Sequence, residues 1–130
     1  MNKKKIAAIA ATGLFSLMIL PGAVMDIVQP EMVVEIAEGI GLPLPIMALI
    51  GFWKLAGLVG LWQPKFARLR EWAYAGFFFD LTGAAFWHGS AGDMAGIAPP
   101  LVILGVLAAS YGLRYTAQAA TVPSPTLQTA

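Results

Sequence analysis

The sequence contains no cysteine and only one histidine, His88, among its 130 residues. Without cysteine the chain can form no disulfide, no iron–sulfur cluster and no thiolate metal site, and it has no cysteine nucleophile. A single histidine supplies no pair of imidazole ligands, and so few polar residues assemble no Ser–His–Asp set. We therefore expect no intrinsic cofactor and no metal, and the sequence disfavours a hydrolase or a transferase.

Charge is scarce as well. Only 12% of the residues are charged, about half the fraction found in a typical soluble domain. The eight basic and seven acidic residues nearly cancel, so the chain has no basic footprint for nucleic acid. Hydrophobic residues make up 58% of the chain and the mean hydropathy is +0.75. A chain this poor in charge cannot cover its surface in water, and its length suits one domain. The composition predicts a small integral membrane protein.

Four long apolar runs follow one another along the chain. The first holds no charge from Ile6 to Met25, which is enough to cross about 30 Å of hydrocarbon at about 1.5 Å per residue. The lysines before it also suit a signal peptide, but "PGAVMD" at 21–26 offers no small-x-small cleavage site, which favours an uncleaved span. The predicted fold is an all-α, integral membrane four-helix bundle within residues 1–115, with spans at about 6–28, 46–62, 72–88 and 97–115.

Two further segments lie outside these spans. Between the first and second spans, Glu31, Glu35 and Glu38 share one face of a helical pattern, which predicts a short amphipathic helix at the membrane surface. Pro99 and Pro100 suit the first turn of the fourth helix, where missing N–H groups cost little. Residues 116–130 carry no charge and little bulk, and we expect a disordered tail.

The cations predict the orientation. Apart from Lys54 within the second span, the other seven all fall on one side of a four-span topology, whereas the charged residues of the opposite loops are all acidic. The positive-inside rule then places both termini in the cytoplasm of a multi-pass protein of the plasma (inner) membrane. Trp62 and Trp72 mark the inner interface and Trp87 the outer one, and Arg114 is expected to reach the interface from the fourth span.

Two charges interrupt the apolar runs. Lys54 is eight residues from each end of the second span, and Asp80 is eight residues from each end of the third. Because neighbouring spans joined by a short turn are antiparallel, this spacing places both charges at one depth. A central charge costs about 2.5 to 3.5 kcal/mol on the insertion scale. We therefore predict a mid-membrane Lys54–Asp80 ion pair facing the bundle interior, and expect Asp80→Asn to strand the cation. The pair is either structural or functional, since ionisable residues inside a membrane commonly serve function.

Other side chains near these charges are candidate site residues. Asp26, His88 and Trp87 are expected to line a polar pocket at the outer end, although Asp26 alternatively caps the surface helix or shares Lys54. Trp53 lies too deep for an aromatic belt, so it either packs in the core or stacks on a ring-shaped ligand. Small residues around the charges predict close helix packing, and the fourth helix carries a similar small face. These small residues are Gly51, Gly57, Gly76 and Gly83, with Gly105, Ala109 and Gly112 on the fourth helix.

Three segments resemble one known family. "GAVMDIVQP" at 22–30, "GFWKLAGLVGLW" at 51–62 and "EWAYAGFFFDLTGAA" at 71–85 are similar to signature segments of the DoxX-like family of small four-helix bacterial membrane proteins. The resemblance spans about residues 14–114. It implies the four-helix fold and an association with redox partners, because the family takes its name from subunits of a thiosulfate:quinone oxidoreductase. Functional positions carried over from the family fall on Asp26, Trp53, Lys54, Asp80 and His88.

Two functions from different classes fit these residues. The first is a redox-associated, quinone-linked membrane subunit, in which aromatic walls hold a quinone, Lys54 donates to it, and Asp80 or His88 is its proton partner. The candidate walls are Trp53, Phe77, Phe78, Phe79 and Trp87. This function requires a redox partner subunit or a diffusible quinone, since the chain has no dinucleotide-binding glycine motif of its own. The second is a non-catalytic scaffold or assembly factor for a larger complex. A small transporter comes third and requires a homo-oligomer. Whether any reaction is catalysed stays open.

Overall fold

The computed structural model describes residues 2–123, and these form five helices with no strand among them. The helices are α1 (Lys3–Val28), α2 (Glu31–Ile40), α3 (Leu44–Trp62), α4 (Ala67–Ser90) and α5 (Met94–Ala119). Short connections join them. One of these connections, between α1 and α2, turns at Gln29, which adopts a left-handed backbone conformation. The all-α prediction is confirmed.

The four long helices pack in a ring. Helix α1 contacts α3 and α5, and α4 contacts the same two helices from the other side. Successive long helices run in opposite directions, and aromatic rings meet at the centre, where Phe15 and Phe77 pack edge to face at 4.9 Å between centroids. The buried residues around this contact form the main core, and they are Phe15, Ile19, Leu61, Ala73, Tyr74, Phe77, Leu81 and Leu107.

The buried face of α1 follows the helical repeat. Its buried residues are spaced four, three, four and four apart and form one stripe: Ala8, Thr12, Phe15, Ile19 and Ala23. The remaining faces carry large apolar side chains that stay exposed. Such side chains also cover the other long helices, as Val59, Phe79, Phe86 and Val102 show. A bundle surface covered by large apolar side chains suits a lipid environment and not water.

Three of the described helices, α1, α3 and α5, are long and apolar enough to cross a membrane. The protein is therefore a multi-pass membrane protein. Helix α4 has 24 residues, enough for about 36 Å, but it is less apolar because Arg68, Arg70, Glu71 and Asp80 lie in it.

Helix α2 lies across the end of α3 and also contacts α4. Val33 and Ala37 are buried against Met47 of α3, whereas the three glutamates are exposed. Met32 and Ile36 stay exposed as well. One face of α2 therefore packs on the bundle, and its acidic face and an apolar edge point away.

Helix α5 differs from its prediction at both ends. It begins at Met94, because Asp93 caps the helix and accepts a hydrogen bond from the Gly96 amide at 3.0 Å. Pro99 and Pro100 consequently lie inside the helix and not in its first turn. At the other end the helix continues to Ala119, four residues into the predicted tail, and residues 124–130 of that tail lie outside the described part of the chain.

Candidate functional site

A cluster of three charged side chains joins α1, α3 and α4. The ammonium of Lys54 donates a hydrogen bond to Asp26 Oδ2 at 2.8 Å. Asp80 Oδ2 lies 3.7 Å from the same Nζ atom. The three side chains are only 15 to 19% exposed. We call Asp26, Lys54 and Asp80 the charged cluster.

Lys54 has a closer partner than the one predicted for it, and Asp26 shares the ammonium, as the sequence analysis allowed. Lys54 was expected to pair with Asp80, but its hydrogen bond goes to Asp26, and Asp80 is a second, longer contact. The reason is the packing of α1 on α3 at Gly51. A Cβ atom at Gly51 would lie 2.8 Å from the Ala23 carbonyl oxygen and 2.8 Å from Asp26 Cβ, so only glycine lets α1 come this close. Asp26 thereby reaches Lys54, which lies one helical turn farther along α3.

The register of α3 against α4 places Asp80 beside the cluster. Gly57 faces the ring of Phe77, where an added Cβ would be 2.8 Å from the ring, and Gly60 faces Ala73. One turn farther in this antiparallel register, Lys54 faces Asp80. The glycines of α3 therefore set the contacts that assemble the cluster.

The cluster holds two carboxylates for one ammonium. Lys54 is hydrogen-bonded to Asp26, and its Nζ atom is 3.7 Å from Asp80 Oδ2, too far for a hydrogen bond, so this buried oxygen receives none. A buried acceptor without a donor is costly, by about 1 to 3 kcal/mol. The cluster thus presents one unsatisfied acceptor and an ammonium with further N–H groups to anything that enters beside it.

A cavity of about 50 Å³ opens beside the cluster, between α3 and α4. The glycines on its walls leave the space that a side chain would fill. Its lining residues are Trp53, Lys54, Gly57, Ala73, Gly76, Phe77 and Asp80. We call this space the α3–α4 cleft.

Trp53 stands at the edge of the α3–α4 cleft. Its side chain is 62% exposed and packs edge to face on Phe52 at 5.6 Å. The expectation that Trp53 packs in the core is therefore wrong. An exposed indole beside a charged cleft on an apolar surface is accessible to a ring compound dissolved in lipid.

A second polar centre, which sequence reasoning missed, joins α1, α4 and α5. Ser110 Oγ lies 2.7 Å from Thr12 Oγ1 and 2.8 Å from the Tyr74 hydroxyl. Arg114 donates to Tyr74 at 3.1 Å and to Thr12 at 3.3 Å. Arg114 thus turns toward the bundle and not only to the interface. The available signal was the place of Thr12 in the buried stripe of α1.

Beside this polar network, a larger groove of about 340 Å³ runs between α4 and α5. Most of its walls are apolar or aromatic, and they are formed by Glu71, Tyr74, Ala75, Phe78, Leu104, Leu107, Ala108 and Tyr111. We call it the α4–α5 groove. Of the residues predicted for the site, only the candidate wall residue Phe78 is in this lining.

The remaining candidates, His88 and Trp87, lie at the end of the bundle that carries α2. His88 Nδ1 is 2.7 Å from Asp93 Oδ2, and Trp87 Nε1 donates to the Ile40 carbonyl of α2 at 2.6 Å. Over residues 2–123, no hydrogen bond or ion pair joins either residue to Asp26. The partners of His88 and Trp87 are thus Asp93 and the Ile40 carbonyl, and the pocket of Asp26, His88 and Trp87 stays a prediction.

His88 and Asp93 instead hold the start of α5. Two hydrogen bonds hold the pKa of Asp93 below its usual range. The one with His88 contributes most, and the one from the Gly96 amide contributes less. Gly96 packs directly over this pair, because a Cβ there would collide with both side chains. These contacts give His88 a structural task at the connection between α4 and α5. Within residues 2–123, no group of three or more histidine or acidic side chains is placed to hold a metal ion.

Comparison with known proteins gives one match. A family model described as the DoxX-like family matches residues 10–110, which is well over half of the chain. The matched range includes all three members of the charged cluster. No curated protein and no solved structure matches the chain significantly.

Proposed function

We propose a function from the premise that the chain belongs to the DoxX-like family, as its three signature-like segments predicted and as the match over residues 10–110 shows. In this proposal the protein is a membrane subunit that holds the head group of a lipid-soluble quinone in the α3–α4 cleft. The observation that carries the proposal is the charged cluster, which opens into a cleft beside an exposed tryptophan.

The proposal includes a disposition in the membrane. All four long helices cross the bilayer, α2 rests on its outer surface, and both termini lie in the cytoplasm of a bacterial cell. The length of α4 and its place in the ring support the fourth span, and the position of the cations supports the orientation. Single cysteines test it in this cysteine-free chain. A membrane-impermeant maleimide should label Ala91→Cys but not Lys65→Cys in intact cells, and the reverse labelling would refute the orientation.

The chemistry of the cleft fits a quinone head group. Such a ring carries two oxygens that need hydrogen-bond partners and a flat face that needs an aromatic or apolar wall. Lys54 supplies N–H donors to a ring oxygen, Asp80 is a proton partner when the quinone is reduced, and Trp53 supplies a face. The cavity of about 50 Å³ is smaller than a quinone ring. One ring oxygen therefore enters the cleft, and the ring lies against Trp53 at the lipid-facing surface.

Electron transfer in this scheme involves a partner. We propose that electrons pass between the bound quinone and a redox partner subunit, with the chain itself supplying the binding site. A scaffold role for the same bundle predicts a constant protein partner and no small-molecule dependence.

The proposal is tested by titrating the detergent-purified protein with a short-chain ubiquinone analogue and measuring tryptophan fluorescence. We expect saturable quenching that Trp53→Phe largely removes, because Trp53 is the indole beside the cleft. Lys54→Met should weaken binding about tenfold or more, since it removes a charged hydrogen-bond donor.

Trp72→Phe is the matched control, because Trp72 is exposed on α4 and does not line the cleft. It should leave the binding curve unchanged. Quenching that does not saturate, or that is the same in Lys54→Met, would contradict the proposal and leave the scaffold role.

A further inference from the structure

One acceptor in the α3–α4 cleft has no hydrogen-bond donor. Asp80 Oδ2 is buried and has no hydrogen-bond partner. The ammonium of Lys54 is 3.7 Å away and is hydrogen-bonded to Asp26 at 2.8 Å. The cleft therefore lacks a donor at one defined oxygen atom.

The walls of the cleft do not supply this donor. Gly57, Ala73, Gly76 and Phe77 carry no polar side-chain atom, and the Trp53 side chain is mostly exposed. Moreover, the cluster contains two carboxylates and one ammonium, so a group that brings a positively polarised hydrogen is favoured over one that brings only lone pairs.

We infer that the α3–α4 cleft selects a ligand with a hydroxyl donor, and so binds the hydroquinone form of its ligand in preference to the quinone form. A hydroxyl group can donate to Asp80 Oδ2 and at the same time accept from Lys54 Nζ. A carbonyl oxygen can only accept. A bound quinone would therefore leave Asp80 Oδ2 without a donor and would also shield this oxygen further from water. This inference rests on the proposed function and adds the form of the ligand to it.

The test is a competition experiment against one reporter. The short-chain ubiquinone analogue that quenches Trp53 is bound first under anaerobic conditions, and its own hydroquinone is added as competitor, because electron exchange between two forms of one couple leaves both concentrations unchanged. The O,O-dimethyl ether of this hydroquinone is the matched competitor, because it keeps the ring, both oxygens and the alkyl chain but has no donor. We expect the hydroquinone to displace the reporter at a concentration at least about tenfold lower than the dimethyl ether requires. Equal displacement by the two competitors would overturn the inference.

The variant Asp80→Asn shows whether the preference arises at this carboxylate. Its carboxamide can donate a hydrogen bond to a ligand oxygen. The preference for the hydroquinone over its dimethyl ether should therefore fall to within about threefold or reverse. The control is Thr82→Val on the same helix, because the Thr82 hydroxyl is hydrogen-bonded to carbonyl groups of its own helix, and it should keep the preference. An unchanged preference in folded Asp80→Asn would refute the assignment to Asp80.

The two proposals fail in different ways. Without saturable quenching by the ubiquinone analogue, the proposed function fails and the inference fails with it. With saturable quenching but equal competitors, the quinone site stands and only the donor preference is refuted.

Discussion

At the scale of single residues, Lys54 is one ammonium between two unequal carboxylates. Asp26 is hydrogen-bonded to it, whereas Asp80 is 0.9 Å farther away, at 3.7 Å against 2.8 Å. In surroundings of low dielectric constant this difference matters, because an ion pair compensates its desolvation only when the geometry is close. We therefore expect Asp26 to stabilise the bundle and propose Asp80 as the carboxylate that contacts a ligand.

The two carboxylates should respond differently to neutralisation. Asp26→Asn should lower the free energy of unfolding by about 1.5 to 3 kcal/mol, because Lys54 loses its charged hydrogen-bond partner. Asp80→Asn should cost less or stabilise the protein, since it removes the unsatisfied acceptor and leaves the Lys54–Asp26 pair intact. The measurement is the midpoint of thermal unfolding in mild detergent.

A double variant serves as the control. Adding Lys54→Met to Asp26→Asn should recover much of the loss, as expected for two residues that interact directly. A larger loss for Asp80→Asn than for Asp26→Asn would restore the pairing expected from the sequence alone and contradict the structure.

The limits of prediction are also visible at single residues. The level positions of Lys54 and Asp80 follow from equal spacing in two helices joined by a short turn. The hydrogen bond of Asp26 to Lys54 does not follow from this spacing. It depends on how closely α1 approaches Gly51, and no pattern within α1 encodes that distance. For Trp53 the sequence left two alternatives open, core packing or stacking on a ligand, for another reason. Helix α3 is apolar on nearly every face, so periodicity does not distinguish its core side from its lipid side.

At the scale of helices, the glycines predicted to form packing seams divide into two groups. Gly51 and Gly57 of α3 face another helix closely, as does Gly60, which was not among those predicted. In contrast, Gly76, Gly83, Gly105 and Gly112 have open space around the position of a Cβ atom. The seam predicted on α5 is therefore not a close contact. The sequence shows where small residues lie but not which neighbour faces them.

Two alanine substitutions distinguish these groups. Gly57→Ala should lower the free energy of unfolding by about 1 to 3 kcal/mol, because its Cβ would meet the buried ring of Phe77 at 2.8 Å and overpack the core. Gly83→Ala should be neutral or stabilising by up to about 1 kcal/mol, since alanine favours the helix and meets nothing there. Thermal unfolding in detergent measures both, and equal losses would contradict the packing of α3 on α4.

At the scale of the whole molecule, two polar centres lie in an otherwise apolar bundle. The charged cluster joins α1 and α4 to α3, and the network around Ser110 joins α1 and α4 to α5. The Phe15–Phe77 contact between α1 and α4 is part of the core that both centres share. Each polar centre adjoins its own cavity, the α3–α4 cleft or the α4–α5 groove.

The sequence predicted much of this architecture and little of its interior. Composition and four apolar runs were sufficient for an all-α membrane protein, because they reflect the solvent that surrounds the chain. The network of Thr12, Tyr74, Ser110 and Arg114 was not predicted, since the stripe of α1 indicates only that Thr12 is buried, and the partners of the three hydroxyl groups are set by the packing of the helices. The same holds for His88, whose partner Asp93 became apparent only with the start of α5.

The α3–α4 cleft and the α4–α5 groove are two alternative places for a ligand to bind. Photolabelling distinguishes them most directly. The protein in native membranes is irradiated with an azido-quinone, and the modified peptides are identified by mass spectrometry. The quinone site proposed for the α3–α4 cleft predicts adducts on α3 at residues 52–57, which unlabelled quinone analogue prevents and Lys54→Met greatly reduces. Adducts confined to α5 at residues 104–111, or labelling that the unlabelled analogue does not prevent, would contradict it.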